Sequence, residues 1–122
     1  MKNKKFRIGN LIYAYSLNDK KQTDLRIAEI KSIGETWIEY DYQGEFNHCS
    51  SKPIPLTEEW LEKFGLKKLI PQGSIFQLRE FHVQNFGPLG FYECRNHVKI
   101  EYIHQLQNLY FALTWEELKL EL

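Results

Sequence analysis

An uncharged stretch, residues 102–115, constrains this chain more than any other part of its sequence. It contains no Asp, Glu, Lys or Arg, although 26% of all residues are charged. Successive residues of a helix are about 100° apart, so five apolar side chains of the stretch fall within one arc roughly 120° wide. These residues are Ile103, Leu106, Leu109, Tyr110 and Leu113. We therefore predict an α-helix that packs one face on the rest of the protein.

The opposite face of this predicted helix carries a second stripe of residues. They follow the i, i+3, i+4, i+7 spacing of one helix face: His104, Gln107, Asn108 and Phe111. A face that meets only water would more often carry Lys and Glu. Two interpretations stay open, because either a second layer of the same domain or a partner or ligand would cover the stripe. The simplest partner is another copy of the chain, and we expect a homo-oligomer on that interpretation.

Length and composition predict one domain over residues 1–122. A chain of 122 residues with 43% hydrophobic and 15% aromatic residues can build a full core. We expect three subregions: a β-meander at 6–49, a connector and helix at 50–66, and a sheet with a helix at 67–122. Sixteen basic and sixteen acidic residues give no net charge, which argues against binding to duplex nucleic acid or to an anionic membrane.

The expected compartment is the cytoplasm, and we expect no metal and no cofactor. No apolar run approaches the roughly 18–20 residues of a membrane span, and the N-terminus lacks the apolar core of a secretory signal. Cys49 and Cys94 fit free thiols in a reducing compartment. A zinc set with His48 and His97 is poorly supported, because neighbours on a strand such as His48 and Cys49 point to opposite faces.

Period-two patterning predicts four short strands in the N-terminal part, at residues 11–15, 25–33, 36–42 and 45–48. The second strand changes its apolar face near Ala28 and Glu29, which indicates a β-bulge. The strand spacing suits a small curled sheet or an SH3-like barrel. Two prolines then make residues 50–55 a predicted connector.

A short helix is predicted after this connector. Thr57 stands at the N-cap position, and Gly65 supplies a C-terminal stop. Trp60, Leu61 and Phe64 share one side of the helix, which we expect to be buried.

The C-terminal half predicts a second antiparallel sheet, so the fold class is α+β. Strands are predicted at residues 75–83, 91–95 and 98–102, and alternating leucines predict a last strand at 118–122. Residues 85–90 form a turn whose Phe86 and Leu89 are unusual for an exposed tip. A hydrophobic loop tip favours contact with a partner.

Two segments resemble a known family. Residues 55–65, PLTEEWLEKFG, and residues 98–114, VKIEYIHQLQNLYFALT, look like the two signatures of a family of small proteins from Bacteroidota, their prophages and phages. The family usually continues its second signature with a glycine, where this chain has Trp115. The family has no assigned activity, so the resemblance implies a phage or mobile-element context and no particular chemistry.

No nucleophile with its base, paired catalytic carboxylates, phosphate loop or metal set occurs at a recognisable spacing. We therefore expect a binding protein rather than an enzyme, and a protein partner that it modulates or inhibits is the first choice. A small ligand such as a nucleotide is the alternative, with Arg79 and Arg95 as the nearest phosphate ligands, and a structural phage component is a third. The candidate binding residues are His104, Gln107, Asn108, Phe111, Phe86, Leu89 and Trp115.

Overall fold

A computed structural model describes residues 6–16, 21, 24–34, 38–41 and 49–121. The chain divides into two compact units, Met1–Ile54 and Pro55–Leu122. Each contains an antiparallel sheet, and the second adds two helices, so the α+β prediction is confirmed. The predicted strand at 45–48 and the turn before it lie outside the described residues.

The N-terminal unit is a four-stranded antiparallel sheet. Its strands are β1 Leu11–Ser16, β2 Arg26–Ile33, β3 Ile38–Asp41 and β4 Cys49–Lys52, in the order β3-β2-β1-β4. Side chains alternate along the strands, so Ile12 and Ala14 of β1 and Ala28 and Ile30 of β2 share one face and form a core cluster together with Phe6.

Three details of this sheet differ from the sequence prediction. The register between β2 and β3 shifts between Ile30 and Ser32, slightly later than the predicted bulge. The strand β4 occupies part of the predicted connector, because the prolines begin at Pro53 and leave the four preceding residues free to pair with β1. Within the described residues, the outer strands β3 and β4 are not paired with each other, so the sheet is not closed into a barrel.

The C-terminal unit begins with a short helix that matches its prediction. Thr57 accepts a hydrogen bond at Oγ1 from the backbone N–H of Trp60, at 3.3 Å. The helix stops at Gly65, whose φ of 90° is a left-handed conformation that favours glycine. Trp60, Leu61 and Phe64 are buried, as their shared side predicts. This helix is α1, Glu58–Lys63.

Five strands of the C-terminal unit form a simple antiparallel meander, in the order β5-β6-β7-β8-β9. The predicted single run at 75–83 is wrong, because Arg79 and Glu80 form a tight turn between two strands. Arg79 has a φ of 56°, and its carbonyl accepts a hydrogen bond from the Gln77 side chain at 2.9 Å. The strands are β5 Lys67–Lys68, β6 Ile75–Leu78, β7 Phe81–Asn85, β8 Phe91–Glu93 and β9 Val98–Ile100.

The uncharged stretch forms the long helix α2, Ile103–Thr114, which confirms the main sequence prediction. The Gln105 side-chain oxygen accepts the backbone N–H groups of Glu101 and Tyr102, at 2.7 and 3.1 Å, and so fixes the helix start. Phe81 of β7 meets Tyr110 of α2 edge to face, with ring centroids 5.1 Å apart. The helix therefore packs on the meander and runs back along it.

The chain after α2 is irregular through residue 121, so the predicted last strand is wrong for the described residues. Leu118 is buried, but Leu120 is exposed. The alternation of leucines with charged residues in this segment therefore does not correspond to a strand with one buried face. The segment bonds to α1 instead, because the Glu121 N–H donates to the Lys63 carbonyl at 2.6 Å.

Candidate functional site

The second stripe of α2 is partly interior. His104 and Gln107 are each 3% exposed, whereas Asn108 and Phe111 are half-buried. The His104 ring stacks on Tyr102, with centroids 5.8 Å apart and an angle of 15° between the rings. Burial within the chain thus favours the internal-packing interpretation for His104 and Gln107. The exposed candidates are Phe86, Leu89 and Trp115.

Trp115 ends α2 with an exposed indole. Its side chain is 81% exposed, and its φ of 63° lies in the left-handed region, where bulky residues are rare. That conformation costs about 1–2 kcal/mol for a residue with a Cβ. Its N–H donates to the Phe111 carbonyl at 2.8 Å, and its ring meets the Phe111 ring edge to face at 6.0 Å. The helix therefore ends with a strained and exposed tryptophan.

Phe86 and Leu89 lie on a hydrogen-bonded loop between β7 and β8. Residues Gly87–Leu89 form one 3₁₀ turn, and the Phe86 N–H donates to the Gly90 carbonyl at 2.8 Å. The Phe86 ring meets Tyr92 edge to face at 5.5 Å, yet Phe86 remains 46% exposed and Leu89 68% exposed. The fold thus holds two apolar side chains in solvent.

A neighbouring loop adds two apolar residues that the sequence analysis missed. Leu69 and Ile70 are exposed in the connection between β5 and β6. The Asn85 N–H donates to the Ser74 carbonyl at 2.8 Å, which ties this connection to the end of β7. An apolar pair directly before the Pro71-Gln72-Gly73 turn was the available sequence signal. We call Leu69, Ile70, Phe86 and Leu89 the apolar loop end.

The opposite end of the same meander contains a cavity of about 480 Å³. Strand register places the Arg79–Glu80 turn and the turn at residues 94–97 at this end, and α2 returns to it. The cavity is lined by Arg79, Glu80, Phe81, Glu93, Arg95, Leu113, Thr114 and Glu116. Trp115 is not one of these lining residues, but it lies between Thr114 and Glu116 in the sequence, so its backbone borders the cavity. We call this region the cavity end.

Five charged side chains line the cavity, and three of them have hydrogen-bond or ion-pair partners among the described residues. Arg79 forms an ion pair with Glu116, which ties the β6–β7 turn to the end of α2. Buried Glu93 accepts the backbone N–H groups of Arg95 and Asn96, at 2.9 and 2.8 Å. Among the described residues, no hydrogen bond or ion pair engages the side chain of Glu80 or of Arg95. Both residues are exposed, so one carboxylate and one guanidinium at the cavity end meet solvent and are accessible to a ligand or partner.

Burial raises the pKa of the Cys94 thiol beside this cavity, and the negative charge of Glu93 raises it further. A raised pKa reduces the thiolate fraction, which is the reactive form. The variant Cys49→Ser leaves Cys94 as the only thiol of the sequence. We expect the rate at which iodoacetamide alkylates Cys94 to reach half its maximum at a higher pH in the folded variant than in the same variant unfolded in urea. Equal midpoints in the two states would show that the fold does not suppress this thiol.

Metal binding and membrane insertion are two further possibilities for the described part of the chain. Its His, Cys, Asp and Glu side chains form no group of three or more that could hold a metal ion. Among the same residues, no helix combines the length and apolarity needed to cross a membrane.

No family model, no curated protein and no solved structure matches the chain.

Proposed function

We propose that this chain is a non-catalytic binding protein that contacts another protein through its apolar loop end. The observation that carries the proposal is the concentration of four exposed apolar side chains on two adjacent loops. They are Leu69, Ile70, Phe86 and Leu89. Exposed apolar residues that occur singly are ordinary, whereas a group at one end of a sheet is typical of a contact surface.

The support beneath these loops favours binding without much rearrangement. The Asn85 side-chain amide donates to Glu58 at 2.7 Å, and this bond joins the loop to α1. The Asn85 oxygen accepts the Gly87 N–H at 2.8 Å and shapes the turn. A surface that is already ordered loses little conformational entropy on binding. Phe86 would act as the aromatic anchor, because aromatic residues often dominate binding energy.

The biological setting of the proposal rests on the resemblance of residues 55–65 and 98–114 to proteins of Bacteroidota and their phages. In that setting we place the protein in the host cytoplasm, where it would modulate or inhibit a host component. A structural role in a phage particle is the further alternative, and it would require contact between many identical copies.

The proposal predicts that added chain competes for the protein partner only if its apolar loop end is intact. A photo-crosslinking residue at exposed Gln72 should form one cross-linked species in a Bacteroidota lysate. Unlabelled wild-type chain should suppress that species. The double variant Phe86→Asp, Leu89→Asp should compete about tenfold less well or worse, because buried anchors commonly contribute more than about 1 kcal/mol.

Val98→Asp is the matched control, because Val98 is also exposed but lies at the other end of the sheet. It should compete like the wild type. Equal competition by the double variant and the wild type would reject the loop end as the contact surface, provided that both chains show the same melting temperature.

A small ligand in the cavity is the second candidate function. Its volume lies within the range of about 300–1,000 Å³ that is usual for ligand pockets, and Arg79 and Arg95 line it. Three carboxylates share the lining, which disfavours a phosphate group. Titration with a nucleoside monophosphate, followed by tryptophan fluorescence in the wild type and in Trp115→Gly, tests this candidate. A saturable change that Arg95→Gln removes would support it.

A further inference from the structure

We infer that the cavity end is a self-association site, in which Trp115 of each of two copies enters the cavity of the other. This contact goes beyond the proposed function, because it uses the opposite end of the meander and a different partner. A two-fold arrangement is the simplest closed one, because the projecting group and the recess lie at the same end of the chain's meander.

The projecting group is the indole of Trp115. Trp115 is 81% exposed and has a left-handed backbone conformation. The residue therefore gains little stabilisation from burial, and its backbone is strained. The cavity can accept a side chain of this size, since pockets of similar volume hold drug-sized ligands. Leu113 is 45% exposed at the same end and would lose water together with the indole.

The cavity offers the chemistry that an indole needs. Phe81 and Leu113 provide apolar contact, and an indole N–H requires one hydrogen-bond acceptor. Glu80 and Glu116 present carboxylate oxygens in the lining. Arg95 supplies a guanidinium, which stacks favourably on an aromatic face.

The charges at the cavity favour a second copy of the chain over a partner whose charges are all of one sign. Glu80 and Arg95 are the two cavity charges without a side-chain partner among the described residues, and they are opposite in sign. In a two-fold contact, Glu80 of each copy can meet Arg95 of the other, so the dimer contains two such pairs and each charge has one partner. A purely cationic or purely anionic partner would leave one of them uncompensated.

Charge reversal tests the contact through the mass measured by sedimentation equilibrium. The wild type should associate to a dimer at micromolar to millimolar concentrations. Glu80→Arg and Arg95→Glu should each weaken the dimer by about a hundredfold or more, because each homodimer then contains two like-charge pairs. An equimolar mixture of the two variants should form a heterodimer, since both cross-pairs are attractive again. Glu62→Arg, an exposed charge on α1, should leave the dimer unchanged.

Trp115→Gly separates loss of contact from loss of fold. Glycine accepts the left-handed conformation, so this variant should melt no lower than the wild-type monomer while it fails to dimerise. A monomeric wild type at millimolar concentration would overturn the inference. So would a dimer that survives Trp115→Gly, or a variant mixture that stays monomeric.

Discussion

Replacing Phe76 by alanine is expected to lower the free energy of unfolding of the C-terminal unit by about 3–5 kcal/mol. Phe76 is fully buried on β6 and pairs with Val83 of β7, also fully buried, in the middle of the meander. Removing the ring loses apolar burial and leaves a cavity that a hydrogen-bonded sheet can fill only in part. The loss is a large share of the roughly 5–15 kcal/mol that stabilises a typical domain.

Hydrogen exchange of the β6–β8 amides in urea measures this effect within the unit itself. Phe86→Ala is the matched control, since it removes the same ring from an exposed position. It should cost less than about 1 kcal/mol. Similar losses in the two variants would show that Phe76 is not a core residue.

Replacing Glu93 by alanine is expected to cost about 3 kcal/mol, although the residue is polar. Its buried carboxylate accepts the backbone N–H groups of Arg95 and Asn96, and hydrogen bonds to a charged group contribute about 1.5–3 kcal/mol each. We expect a total loss near the lower end of the range for two such bonds, because Arg95 and Asn96 are exposed and water can replace the carboxylate as the acceptor of their N–H groups. Urea unfolding followed by near-ultraviolet circular dichroism measures the loss.

Glu93→Gln refines this test, because the amide keeps one acceptor oxygen and removes the charge. Its stability should fall between those of the wild type and Glu93→Ala. It should also speed the alkylation of Cys94, since the Glu93 charge helps to raise the pKa of that thiol. If the alanine variant were as stable as the wild type, the carboxylate would not organise the turn.

The sequence predicted those elements whose signals are local. The missing charge and 3.6-residue period identified α2, and Thr57 with Gly65 bounded α1 correctly. The Arg79–Glu80 turn was missed because it contains no Gly, Pro or Asn, and the left-handed residue is an arginine. The pairing of β4 with β1 is a contact distant in sequence, and local alternation carries no information about it.

The candidate site residues were likewise predictable only where the sequence signal is local. Phe86 and Leu89 stood out because apolar residues at turns are unusual, and Trp115 because it replaces the glycine of the resembled signature; all three are exposed. His104 and Gln107 share a helical spacing with Asn108, but spacing alone did not reveal that both are buried. The cavity was not predictable, because its lining combines two hairpin turns and a helix end that only the register brings together.

The two proposals assign different contacts to the two ends of one sheet. A dimer joined at the cavity end would carry two apolar loop ends. Two linked binding surfaces raise the apparent affinity for a partner that is itself multivalent, without any new contact. The monomeric charge variants should therefore bind a dimeric partner less tightly than the wild type does.

The most direct test of assigning self-association to the cavity end is to measure the amide chemical shifts by NMR over a series of protein dilutions. The account predicts that shifts change with protein concentration at residues 79–80, 94–97 and 113–116, and that residues 69–70 and 86–90 stay constant. Concentration-dependent shifts at Leu69, Ile70, Phe86 or Leu89, with a constant cavity end, would contradict it.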